Sequence, residues 1–111
     1  CVANDFGFDQ VFSRYVQSHG RKGDCLLAIS TSGTSANVVN AAVAAKDLGV
    51  TVIALTGPAG SQLGVLADVC IATPGGEFAD RVQELHIKVI HVIIELVERH
   101  FFPDNYSATA H

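Results

Sequence analysis

Ser30, Thr31, Ser32, Thr34 and Ser35 place five hydroxyls around Gly33 in a run of six residues. A short apolar segment, 25–29, precedes the run, and an Ala/Val-rich segment, 37–48, follows it. A hydroxyl run between a strand and a helix has a definite chemistry. The first turn of a helix presents unpaired N–H groups and about half a positive charge. Hydroxyls add neutral donors at the same place, and glycine lets the backbone turn tightly and approach a ligand. Together they make a phosphate cradle that needs no lysine. Capping the helix would take one hydroxyl, and five exceed that. The run is not a P-loop, because no Gly-Lys-Ser/Thr follows, and no Gly-x-Gly-x-x-Gly dinucleotide fingerprint is present.

The second constellation lies near the end of the chain. Residues 82–102 are apolar around most of a helical circumference, with Gln83, His91 and Glu95 as polar interruptions. His91 and Glu95 stand at i, i+4. Gln83 and His91 are two turns apart, about 12 Å along the axis. An imidazole there suits proton transfer near neutral pH. Spacing alone leaves two readings open, a shared site or polar side chains hydrogen-bonded within an interface. Asp80 precedes the helix and either compensates its dipole or orients a reacting group. His86 receives no role, and His19, His100 and His111 read as surface residues.

The elements that must position these groups follow from periodicity. Residues 6–18 carry Phe8, Val11, Phe12, Tyr15 and Val16 at helical spacing. Runs 25–29 and 50–55 read as strands buried on both faces, 69–72 as a third short strand, and 74–76 as a loop. Residues 37–48, 61–67 and 78–102 read as helices, the last closed by Pro103. Alternating strands and helices imply a parallel sheet covered by helices, with ligands at the carboxyl ends of the strands. The helix 78–102, about 35 Å long, is more than so small a domain covers by itself, so another subunit is its expected cover.

Composition bounds the rest. The chain has 111 residues, 49% apolar and 16% charged, which suits one globular domain. Its formal net charge of -4 offers no electrostatic reason to bind nucleic acid. The most apolar stretch, 85–97, is interrupted by Lys88, His91 and Glu95, so no membrane span is expected. Cys25 and Cys70 sit in apolar runs and read as buried thiols of a reducing compartment. The sequence has no Met and opens on Cys1-Val2-Ala3, which reads as a processed chain or a fragment.

Ile29-Ser30-Thr31-Ser32-Gly33 resembles the signature of SIS (sugar isomerase) domains. Ala3-Asn4-Asp5-Phe6-Gly7-Phe8, Phe12-Ser13-Arg14-Tyr15 and the stretch 79–91 narrow the likeness to the phosphoheptose isomerases, over about residues 2–102. The resemblance implies an α/β, flavodoxin-like three-layer fold with a parallel sheet. It makes residues 1–103 the carboxyl-terminal portion of a SIS domain and 104–111 a polar tail. It implies isomerisation of sedoheptulose 7-phosphate to D-glycero-D-manno-heptose 7-phosphate, the first step toward activated heptose and products such as lipopolysaccharide. By residue-wise likeness, Ser30, Thr31, Ser32 and Ser35 hold the phosphosugar, and Asn4 and Asp5 bind its hydroxyls from an adjacent loop. Gln83 contacts metal or sugar, and His91 is acid/base and metal ligand. The implied cofactor is one zinc per subunit. Its two other ligands, a His and the Glu that is also the base, would lie upstream of residue 1, as would a second substrate loop. The implied assembly is a cytoplasmic homotetramer with sites at subunit interfaces.

Three rivals stand beside this reading. A non-catalytic SIS module would bind a phosphosugar or scaffold a protein, and the joint presence of Asp5, Gln83 and His91 favours the enzyme. Another SIS isomerase, acting on fructose 6-phosphate or arabinose 5-phosphate, fits the segments at 4–8 and 83–87 less well. A redox or nucleotide-binding flavodoxin-like protein lacks any dinucleotide motif.

Overall fold

The computed structural model describes residues 2–58, 60–73 and 79–106, apart from the side chains of Val2, Ala79 and Asp80. The loop expected at 74–76 and the end of the tail, His111 included, lie outside the described residues. Three strands, β1 (Cys25–Ser30), β2 (Thr51–Thr56) and β3 (Val69–Ala72), form a parallel sheet in the order β1-β2-β3. Five helices accompany them among the described residues: α1 (Val2–Phe6), α2 (Val11–His19), α3 (Ala36–Asp47), α4 (Gln62–Leu66) and α5 (Ala79–Phe101).

Helix α3 is the centre of the core. Its buried residues are Val39, Ala41, Ala42, Ala44 and Ala45. Alanine favours the helix and lets its axis come close to the sheet. Ala28 of β1, Val52 and Ala54 of β2, Val16 of α2 and Leu63 of α4 complete the cluster. Helices α2, α3 and α4 therefore form one layer over one face of the sheet. Helix α5 meets the other face, at β2, where Leu55 and Val82 are buried outside that cluster. The layered α/β arrangement with a parallel sheet agrees with the sequence reading. The register sets Ser30 opposite Thr56 and Thr56 opposite Ala72, so the carboxyl ends of all three strands align.

Four expectations need correction. The helix expected over 6–18 is α1, a 3-10 turn at Phe8–Gln10 and α2, because Gly7 turns the chain at φ 90°. Asn4 and Asp5 consequently sit on a helix, α1, not on a loop. Strand β1 is not buried on both faces: Cys25, Leu27 and Ile29 are exposed while Ala28 and Ser30 are buried. It is an edge strand with one face packed on α3, so the pattern alternates. Cys25 and Cys70 are exposed residues, since both stand on edge strands, although Cys70 Sγ lies 3.6 Å from Thr56 Oγ1.

Candidate functional site

The hydroxyl run folds as a closed loop between β1 and α3. Ser30 is buried, and its Oγ lies 3.0 Å from Ser35 Oγ and 3.5 Å from Ser32 Oγ. The Gly33 N–H donates to Ser30 Oγ at 3.0 Å. Ser32 Oγ accepts from the Thr34 N–H at 3.2 Å and from Thr34 Oγ1 at 3.0 Å. Ser35 occupies the N-cap position of α3 yet makes no side-chain capping bond; its hydroxyl turns back to Ser30. This geometry counts against simple capping as the reason for the run. Gly33 turns at φ 72°, and its carbonyl accepts from Leu63 N at 2.9 Å, which holds the loop against α4.

The exit of β2 lies directly beside this loop. The Gly57 N–H donates to Thr31 O at 3.1 Å. A Cβ on Gly57 would stand 2.6 Å from that oxygen and 3.3 Å from Val82 Cγ2, so only glycine fits between loop and α5. Ser61 caps α4, accepting from Gly64 N at 3.2 Å. His86, 2% exposed, reaches down from α5 to Thr56 O, with Nε2 at 3.0 Å. A carbonyl only accepts, so Nε2 carries the hydrogen of this bond. Its Nδ1 is buried without a hydrogen-bond partner among the described residues. Leaving a polar atom so costs about 1–3 kcal/mol.

The remaining candidates are spread apart. Gln83 and His91 are exposed on α5. His91 follows His86 by five residues, a rotation of about 140° about the axis. It therefore points away from the face that meets β2. It lines a shallow hollow of about 330 Å³ with Ile94, Glu95, Glu98 and Tyr106. Tyr106 Oη donates to Glu98 Oε2 at 2.6 Å, and that carboxylate raises the phenol's pKa above its ordinary value. Asn4 and Asp5 are exposed on α1, which packs on the 3-10 turn and α2. Arg14 stacks over the Phe6 ring at 3.8 Å and fastens α1 to α2.

The structure thus brings Ser30, Thr31, Ser32 and Ser35 together and does not bring His91 to them within one chain. An imidazole and an amide oxygen suit a zinc ion chemically, but zinc takes four donors. Among the described residues no group of three or more His, Cys, Asp or Glu side chains forms a metal site. The donor types fit; the number among the described residues does not. The side chain of Asp80 lies outside the described residues. The sequence points to the loop 56–60 at the carboxyl end of the second strand without giving Thr56 or Gly57 a role of its own, and it gives none to Ser61 or His86. For His86 the signal was available: Val82, His86 and Ile90 repeat every four residues on the inward stripe of α5.

Comparison with known proteins adds relatives to this geometry. The SIS domain family matches residues 1–57. A phosphoheptose isomerase of Histophilus somni is 61% identical over 98 residues, covering 88% of this chain and 50% of that protein. One from Escherichia fergusonii is 56% identical over 99 residues, covering 89% of this chain and 52% of its own length. The structure of phosphoheptose isomerase GmhA from Neisseria gonorrhoeae superposes with a TM-score of 0.83 at 43% identity, over 87% of this chain and 54% of that one. The chain spans about half the length of the curated relatives it matches.

Proposed function

The chain belongs to the SIS domain family, and on that premise we propose that the whole protein converts sedoheptulose 7-phosphate to D-glycero-D-manno-heptose 7-phosphate. The observation that carries this reading is the closed hydroxyl loop at the carboxyl end of β1, in a chain 61% identical to a phosphoheptose isomerase. Ser30, Thr31, Ser32 and Ser35, with the first N–H groups of α3, hold the phosphate end of the sugar. Asn4 and Asp5 contact its hydroxyls.

Aldose–ketose isomerisation moves a proton between C1 and C2 through an enediol. It requires a base for the carbon proton and a group that moves protons between the hydroxyl and carbonyl oxygens. His91 is that second group, and the carbon base belongs to sequence outside this chain. Gln83 orients the sugar and, with His91, would supply two of the four donors of one zinc per subunit. Zinc, when bound, polarises the substrate carbonyl.

His91 faces away from its own hydroxyl loop, which supports a site completed between subunits of a homotetramer. Exposed apolar residues along α5, among them Ile87, Val92, Ile94 and Leu96, supply the surface for that assembly. No helix among the described residues is long and apolar enough to cross a membrane, and we place the enzyme in the cytoplasm, in activated-heptose and lipopolysaccharide synthesis.

The test is isomerisation of sedoheptulose 7-phosphate by the full-length protein and by His91→Gln, with zinc measured in both. Turnover in the parent and a loss of at least about 10²-fold in the variant are expected. Full activity in His91→Gln removes the imidazole from the mechanism. The separation of His91 from the loop also favours a second reading, a phosphosugar-binding or scaffolding module without catalysis. A zinc-free parent that binds the sugar and does not turn it over would establish that reading instead.

A further inference from the structure

We infer that His86 is a positioning residue, which locks helix α5 to the hydroxyl loop through the single peptide group that joins Thr56 to Gly57. The carbonyl of that group is Thr56 O, which accepts from His86 Nε2 at 3.0 Å. Its N–H is that of Gly57, which donates to Thr31 O at 3.1 Å. The two bonds pull on opposite ends of one planar, rigid unit. Each polarises the peptide in the sense that strengthens the other. Tilting α5 at His86 therefore tilts Thr31, and the loop cannot shift without moving α5.

The packing around this peptide leaves it no slack. Val82, one turn before His86, is buried against Gly57, and any Cβ there would strike both Val82 and Thr31 O. Thr56 is itself fully buried and aligned with Ser30 across the sheet. The Thr56 carbonyl also accepts from the Thr73 N–H at 2.8 Å and from Thr73 Oγ1 at 3.2 Å, so the chain leaving β3 is tied to the same peptide. An apolar side chain at 86 would fill the same space and would not bury an orphan Nδ1. The imidazole is distinguished from such a residue by its hydrogen bond to Thr56 O, and that bond leads to the loop. Gln83, one turn away on α5, and His91 beyond it thereby have their placement referred to the phosphate cradle.

This inference rests on the isomerase reading for its consequence in turnover, though not for the coupling itself. The experiment uses the full-length protein with His86→Leu, which removes the donor, and His86→Gln, whose amide places an N–H near the Nε2 position. Hydrogen exchange followed by mass spectrometry reads residues 30–35, and steady-state kinetics reads kcat and KM. In His86→Leu, exchange quickens in 30–35 as well as in 55–57. Its kcat falls about tenfold, and its KM for sedoheptulose 7-phosphate rises as the cradle loosens. His86→Gln recovers most of both losses.

Unchanged exchange at 30–35 in His86→Leu, a kcat within about twofold of the parent's, or no recovery in His86→Gln overturns the inference. Should His86→Leu fail to fold, His86→Asn takes its place. Its amide stops short of Thr56, and the same outcomes apply. A parent protein without isomerase activity would sink the functional reading alone, and the exchange comparison would then judge the coupling.

Discussion

Gly33 turns the hydroxyl loop at φ 72°, and a Cβ there would run into the side chain of Ser61, the N-cap of α4. Both effects oppose any larger residue. The left-handed conformation costs a non-glycine residue roughly 1–2 kcal/mol, and the collision adds to it by displacing the start of α4. Gly33→Ala should therefore lower unfolding stability by about 2 kcal/mol or more, read from the urea midpoint. It should also raise KM for the phosphosugar, because the N–H that Gly33 gives to Ser30 Oγ shapes the cradle. The composition of this loop was readable in the sequence, since its five hydroxyls fall within six consecutive residues. Its closure was not. The bond between Ser30 and Ser35 depends on how the chain turns, and the partner of the Gly33 carbonyl is the N–H of Leu63, 30 residues away on α4. His86 shows the same limit: its place on the inward stripe of α5 is periodic and local, whereas Thr56 is 30 residues away.

Asp68 joins three elements at the opposite end of the sheet from that loop. Its Oδ2 accepts from Val52 N of β2 at 2.8 Å, and its Oδ1 meets Lys46 Nζ of α3 at 3.1 Å, just before β3 begins. The backbone donor from Val52, then Lys46, holds its pKa below the ordinary carboxylate value near 3.8. A depressed folded-state pKa means that the unfolded chain binds the proton more readily. The resulting stabilisation is present above pH 4 or so and fades as pH falls through the lower folded-state value. Asp68→Ala should accordingly melt below the parent at pH 7, and the gap should close progressively as pH falls below about 4. A gap that persists unchanged at pH 2 would assign the effect to packing instead. The elements themselves were largely legible: β3 matches its expected bounds, and β1, β2, α3 and α5 lie within about a residue of theirs. What failed was context. An apolar run such as 25–29 reads alike for a central and an edge strand, so the exposure of Cys25, Leu27 and Ile29 required the strand order to be known. The break at Gly7 escaped because Phe8, Val11, Phe12, Tyr15 and Val16 keep helical spacing by themselves, whatever the chain does at Gly7.

The described fold is drawn out by α5. Its radius of gyration is 15.9 Å, against about 13 Å for a compact domain of this length. Ile87, Val92, Ile94, Leu96 and Phe101 are each more than half exposed on that helix, and each would gain about 1.5–3 kcal/mol on burial. His91 shares their surface and not that of its own hydroxyl loop. If α5 is covered by a second copy, one subunit's imidazole serves another subunit's phosphate cradle, and catalysis becomes a property of pairs. Two inactive variants of the full-length protein make this measurable. Ser30→Ala damages the proposed cradle, and His91→Gln removes the proposed proton carrier. Unfolded together in equal amounts and refolded, they should regain activity, because about a quarter of shared sites in randomly mixed assemblies draw both intact groups. Each variant refolded alone should stay inactive. A site built within one subunit gives no recovery on mixing, since every copy carries one of the two lesions. Adding Val92→Glu and Leu96→Glu to both variants should abolish the recovery, and sedimentation velocity should show the assembly reduced to smaller species.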